Sequence, residues 1–164
     1  MNGQRQVSRL LEDEHRANLD LLGRLEQRMP RWPRAAGPAD GELQTMLGHL
    51  VRNLQHDTGR HFDFEEAELF TRMADSGDGD MALLLREEHE AIRELAAELL
   101  PLAEAAVGGT LDGEGWQNLK RATLEMVERQ VAHIQKEGMA LLPLLDDLLD
   151  DETDQQLAFA YASD

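Results

Sequence analysis

Cysteine is absent from all 164 residues, which excludes disulfides, thiolate metal sites, iron–sulfur clusters and a thiol nucleophile. Any metal must be held by nitrogen and oxygen. Positive charge is scarce: Lys and Arg number 16 against 33 Asp and Glu, a net charge of −17 with histidines neutral. Phosphate backbones and anionic lipid surfaces repel such a chain, so neither nucleic acid nor a membrane is an expected partner. Most of the acidic residues read as a solvated helical exterior. No run of 18 apolar residues occurs, and Met1 to Leu11 carries arginines without an apolar signal core, so a cytoplasmic location is the default expectation.

What is present is a helical unit written twice. His61-Phe-Asp-Phe-Glu65 recurs as His133-Ile-Gln-Lys-Glu137, and each pair follows an earlier histidine, His15 or His89, by 46 or 44 residues. Setting His15 on His89 puts Leu11 on Leu85, Glu14 on Glu88, Ala17 on Ala91 and Leu21 on Leu95. Setting His61 on His133 puts Leu47 on Leu119, Leu54 on Met126, Glu65 on Glu137 and Leu69 on Leu141. Two helical hairpins with matching core positions predict an all-α fold, a pseudo-symmetric up-down-up-down four-helix bundle.

The first helix is expected over Val7–Arg28, its core stripe passing through Leu11, His15, Asn18, Leu22 and Leu25. Pro30, Pro33, Gly37, Pro38 and Gly41 break it into a loop, with Trp32 closing the end of the bundle. The second helix runs from an N-cap at Asp40 to Ala74, on the stripe Leu43, Leu47, Leu50, Leu54, Thr58, His61, Glu65 and Leu69. Asp75 to Asp80 is turn chemistry. A third helix, 80–107, carries His89 on its stripe; Pro101 should bend or shorten it, and Gly108-Gly109 end it. The fourth begins at Asp112 to Gly115, carries Gln130, His133 and Glu137 on its stripe, and meets Pro143 near its end. A short fifth helix, Thr153 to Tyr161, could dock Leu157 and Tyr161 on the bundle. The domain reading is a bundle over 1–150 followed by an acidic tail, 151–164.

On a helix, positions i and i+4 share a face, so His61 with Glu65, and His133 with Glu137, can converge on one point. Four helices each place a histidine at the same relative depth, and two add a carboxylate. Burying two uncompensated carboxylates would cost several kcal/mol each, and a dinuclear metal centre removes that cost. Four imidazoles and two carboxylates suit iron, manganese or zinc, and bridging carboxylates are typical of iron and manganese pairs in helical bundles. With a hydroxide or oxide bridge, each metal keeps one open position for a small molecule. His49 and His56 lie on a face turned away from this stripe and are assigned to the surface.

Taken together, Glu14-His15, His61-Phe-Asp-Phe-Glu65-Glu66 with Leu69-Phe70, Glu88-His89 with Ile92-Arg93, and His133-Ile-Gln-Lys-Glu137 with Leu142-Pro143 make the chain resemble the hemerythrin-like, or HHE cation-binding, domains over about residues 8–148. The resemblance implies a non-haem di-iron centre, oxo- or hydroxo-bridged, with His15, His61, His89 and His133 as histidine ligands and Glu65 and Glu137 as bridging carboxylates. The oxygen-carrying members have a further histidine where this chain has Arg93, and an aspartate at the place of Glu137. Arg93 cannot ligate a metal, and it is expected to point to solvent. The four-His, two-Glu set is more similar to di-iron proteins implicated in iron–sulfur repair, whose cysteine-containing N-terminal segment has no counterpart here.

Two functions are therefore expected from the sequence. The first is a binding module that takes dioxygen, nitric oxide or iron itself, for sensing or storage. The second is a redox enzyme acting on peroxide or nitric oxide. The acid needed for the second is scarce, since the core stripes offer only Asn18, Thr58 and Gln130. No catalytic residue and no protein partner is indicated.

Overall fold

The computed structural model describes residues 4–32 and 41–163; the expected N-cap at Asp40 and the loop residues Pro33, Gly37 and Pro38 lie outside them. Helix α1 is Gln6–Arg28 and ends in a 3-10 turn, Met29–Arg31. Helix α2, over 41–73, begins as Gly41–His56. The chain reverses at Gly77, whose φ of 106° only glycine adopts without strain. Helix α3 is Gly79–Val107 and continues past Pro101 rather than being shortened by it. After Gly109, with φ 72°, helix α4 occupies 113–148, starting at Gly113 behind Asp112, whose side chain accepts from Gly115 N at 2.7 Å. Helix α5 is Asp151–Ser163.

The architecture is the all-α four-helix bundle that the repeat predicts. Helices α1 and α2, α2 and α3, α3 and α4, and α4 and α1 pack on one another in a closed ring, and α5 lies against α1. No strand occurs among the described residues, and no helix among them is long and apolar enough to cross a membrane. Two apolar clusters fill the interior. One, around Leu25, Leu47, Leu99 and Trp116, is closed at the bundle's end by Trp32, set edge-on to Trp116 at 6.3 Å. The other gathers Val7, Leu11, Leu69, Leu85, Leu141 and Leu157. Each buried leucine stabilises the bundle by about 2 kcal/mol, and the polar centre lies between the two clusters.

Helices α2 and α4 are not regular, which the sequence reading missed. In α2, π-helical turns span Asp57–His61 and Glu65–Phe70; in α4 one spans Glu137–Leu141. The cause is the spacing of the buried residues. Asp57, His61, Glu65, Leu69 and Met73 are all buried and each follows the last by four. In a regular α-helix every such step overshoots a turn by about 40°, so the stripe would drift out of the core. The wider i→i+5 turns cancel that drift, and His133, Glu137, Leu141 and Leu145 repeat the pattern in α4. One correction follows: Asp57 takes the buried position assigned to Thr58, whose hydroxyl donates to Leu54 O at 2.6 Å instead. Pro143 sits in the first turn after the π-helical stretch of α4, where its missing N–H costs least.

Helix α5 is tied down at its start. Asp154 is buried and accepts from Gln6 N and Val7 N, each at 2.9 Å, capping α1 from another helix. Arg5 N donates to Asp146 at 2.9 Å beside it. Leu157 and Tyr161 are buried.

Candidate metal centre

Each of the four long helices brings one histidine to the polar layer, and α2 and α4 add Glu65 and Glu137. The six side chains predicted from sequence are all buried and meet as two overlapping groups. His15, His61, Glu65 and Glu137 form one, and His89, His133, Glu65 and Glu137 the other; within each, the ligand atoms lie within 4.8 Å of one another. The two carboxylates are common to both groups. Every oxygen of Glu65 and Glu137 lacks a hydrogen-bond partner among the described residues, and so does His15 Nε2. The nearest nitrogens stand at ion-pair distance but poorly aligned for hydrogen bonding: His133 Nε2 on Glu137 Oε1, and His61 Nε2 and His89 Nε2 at 3.2 and 3.3 Å from Glu65 Oε1.

Carboxylates on the outer edges of three rings fix their orientation. Glu14 accepts from His61 Nδ1, Glu66 from His89 Nδ1 at 2.8 Å, and Glu88 from His133 Nδ1 at 2.9 Å. An ionised carboxylate only accepts, so the proton sits on Nδ1 and the Nε2 lone pair faces the centre. In consequence His89 Nε2 and His133 Nε2 face each other at 3.0 Å. Two bare lone pairs repel at that distance, whereas two imidazole nitrogens at about 2.1 Å from one cation, at right angles, lie about 3 Å apart. The orphaned carboxylate oxygens and the facing nitrogens fit a pair of cations held by nitrogen and oxygen.

Without cations, protons take their place. Burial opposes charge on His133, but the charge of Glu137 beside it and the hydrogen bond to Glu88 win, and the ring is pushed up to about 10. His61 and His89 are raised by the same contest, burial against Glu65 with Glu14 for the first and burial against Glu137 and Glu65 for the second. Burial would raise Glu137, yet His133 beside it holds it well below the ordinary carboxylate range.

The supporting residues were not recognised from sequence. Glu14 and Glu88 precede histidines in both repeats, and that doubling was the available signal, although each orients the histidine of the neighbouring helix and not its own neighbour in sequence. Tyr161 was expected only to dock; its hydroxyl also donates to Glu14, and burial together with Glu14 raises the phenol well above its ordinary value. Asp57 accepts from Asn18 at 3.2 Å and Gln130 at 2.7 Å in a buried network beside the centre. His49 and His56 are exposed, as expected, and His56 Nε2 reaches Glu14 at 3.2 Å. Arg93 departs from expectation: instead of pointing to solvent it bonds Glu66 at 2.7 Å, Glu90 at 2.9 Å and Asp63 at 3.1 Å, and so braces the carboxylate that holds His89. Phe62 stacks on His89 at 3.7 Å, and the Arg93 guanidinium lies over the Phe62 ring.

A family model, the hemerythrin HHE cation binding domain, matches residues 6–145. The chain belongs to the hemerythrin HHE cation-binding family. No curated protein and no solved structure matches it. Family membership and the buried His/Glu groups agree on cation binding in the hemerythrin-like bundle.

Proposed function

We propose that this HHE domain is a non-haem di-iron protein, with His15, His61, Glu65, His89, His133 and Glu137 as ligands, that binds dioxygen, nitric oxide or iron for sensing or storage. The observation that carries the reading is the sharing of Glu65 and Glu137 by two four-donor groups, since carboxylates set between two clusters of imidazoles could each serve a pair of cations. Iron in such a site supplies one-electron chemistry and an open position for a small ligand. The chain's own part is to keep Nε2 lone pairs directed inward through Glu14, Glu66 and Glu88, and to exclude water with the apolar clusters on either side.

The alternative, a redox enzyme acting on peroxide or nitric oxide, needs an acid facing the cations. Glu14 and Tyr161 lie at the Nδ1 edge of His61, its far side, and Asn18 and Gln130 are engaged by Asp57. An iron–sulfur repair role has no cysteine to draw on. Binding is therefore favoured. The test is exposure of the diferrous protein to air and to peroxide. We expect oxidation to a diferric state whose spectrum does not revert when oxygen is removed, and no sustained consumption of peroxide. Many cycles of peroxide turnover without loss of iron would replace this reading with the enzymatic one.

A further inference from the structure

The two halves of the repeat are not equally supported. The alignment that sets His61 on His133 and His15 on His89 puts Glu14 on Glu88, Glu66 on Gly138 and Arg93 on Leu19. The first correspondence is kept in space, for Glu14 orients His61 as Glu88 orients His133. The second is lost. Glu66 holds His89 Nδ1 and is itself held by Arg93, but where the symmetry calls for a carboxylate to hold His15 there is Gly138, and where it calls for the bracing arginine there is Leu19. Both members of the supporting pair are replaced together.

The space they would occupy is open. His15, Leu19, Ile134, Gly138, Leu142 and Pro143 line a groove of about 400 Å³ between α1 and α4. A Cβ added at Gly138 would meet nothing within 4 Å. The carboxylates on the rim of the groove are engaged elsewhere: Glu12 pairs with Arg16 and accepts from Gln4, and Asp146 accepts from Arg5 N. Among the described residues no acceptor is bonded to His15 Nδ1. His15 is also the most exposed of the four rings, at 4 % against 1 % or less for the others.

We propose that the centre is divided into a retained cation site at His89–His133 and an exchangeable one at His15–His61, with the groove beside Gly138 as the port through which the exchangeable cation enters and leaves. This rests on the dinuclear reading above. A histidine whose outer nitrogen bonds a carboxylate is a more basic and better oriented ligand, and such partners are typically worth about 10–100-fold in metal affinity. Repulsion between the cations alone also makes binding stepwise, so the decisive question is which constant responds to which residue.

Metal-free protein would be titrated with Co(II) under argon, by calorimetry and absorbance, beside Leu19→Arg with Gly138→Glu, Glu66→Ala and His15→Ala, with melts of each to show that it folds. Wild type should bind two Co(II) with constants at least about tenfold apart. Restoring the pair with Leu19→Arg and Gly138→Glu should strengthen only the weaker, by about tenfold. Glu66→Ala should weaken the tighter by a similar factor, and His15→Ala should abolish the weaker step while leaving one tight Co(II). Equal constants in the wild type, a restored pair that moves the tighter constant or neither, or loss of the tight step in His15→Ala would overturn the division. Absence of any Co(II) binding would instead overturn the dinuclear reading itself.

Discussion

Replacing Asp154 with alanine tests whether the C-terminal helix is an integral part of the site's support. The carboxylate is 4 % exposed and accepts two backbone N–H bonds at 2.9 Å from the first turn of α1. Hydrogen bonds to a charged group are worth about 1.5–3 kcal/mol each, and a buried donor left unpaired costs its desolvation in full. Val7 N is buried and would stay unpaired, whereas Gln6 N is half-exposed and can recover water. The expected loss is then about 3 kcal/mol, a fall in Tm of about 6–12 °C for a chain of this size. The consequence reaches the centre, because α5 also carries the Tyr161 hydroxyl that donates to Glu14, the carboxylate orienting His61. Urea unfolding of the metal-free protein gives the total, and amide hydrogen exchange shows whether α5 opens before the bundle does. A loss under about 1 kcal/mol, outside the range for such bonds, with α5 amides as protected as those of α3, would refute the reasoning.

Three further outcomes concern how cations and protons at the centre are linked to folding. Ligands so far apart in sequence cannot chelate in the unfolded chain, so metal at 100 times its Kd should stabilise the fold by about 2.7 kcal/mol per site; a melting temperature independent of metal concentration would show that the six side chains do not act together. Loading at pH 7 should release protons, that of His133 first among them, because His133 is pushed up to about 10 and His61 and His89 are raised in the metal-free protein; calorimetry in buffers of different ionisation enthalpy counts them. The sign for stability is equally definite. A raised histidine stabilises the metal-free fold fully below 6.5, and for His133 that contribution is lost as pH rises towards about 10. Metal-free protein should therefore weaken across that window, and loaded protein should not.

The bundle and the six converging side chains were legible because each rests on local spacing, the i, i+4 pair and the two-fold repeat. What escaped depends on contacts between helices. Glu14 sits beside His15 in sequence but bonds His61 on α2, and Glu66 on α2 bonds His89 on α3; no periodicity within one helix shows such pairs. Arg93 looked solvent-directed for the same reason, since the acid it braces belongs to another helix. The exchange of Asp57 for Thr58 in the core has a different origin. Four consecutive steps of four from Asp57 to Met73 were visible, and they announce π-helical turns once regular α-helical geometry is not assumed.

The most direct measurement is iron content. Protein purified after iron-replete expression, or reconstituted with ferrous iron under argon, should hold about two iron atoms per chain by elemental analysis, and Glu65→Ala or His133→Ala should lower that occupancy while the metal-free bundle remains helical. A chain that retains no transition metal under either condition would contradict the account, because the buried carboxylates of Glu65 and Glu137 would then need some other partner.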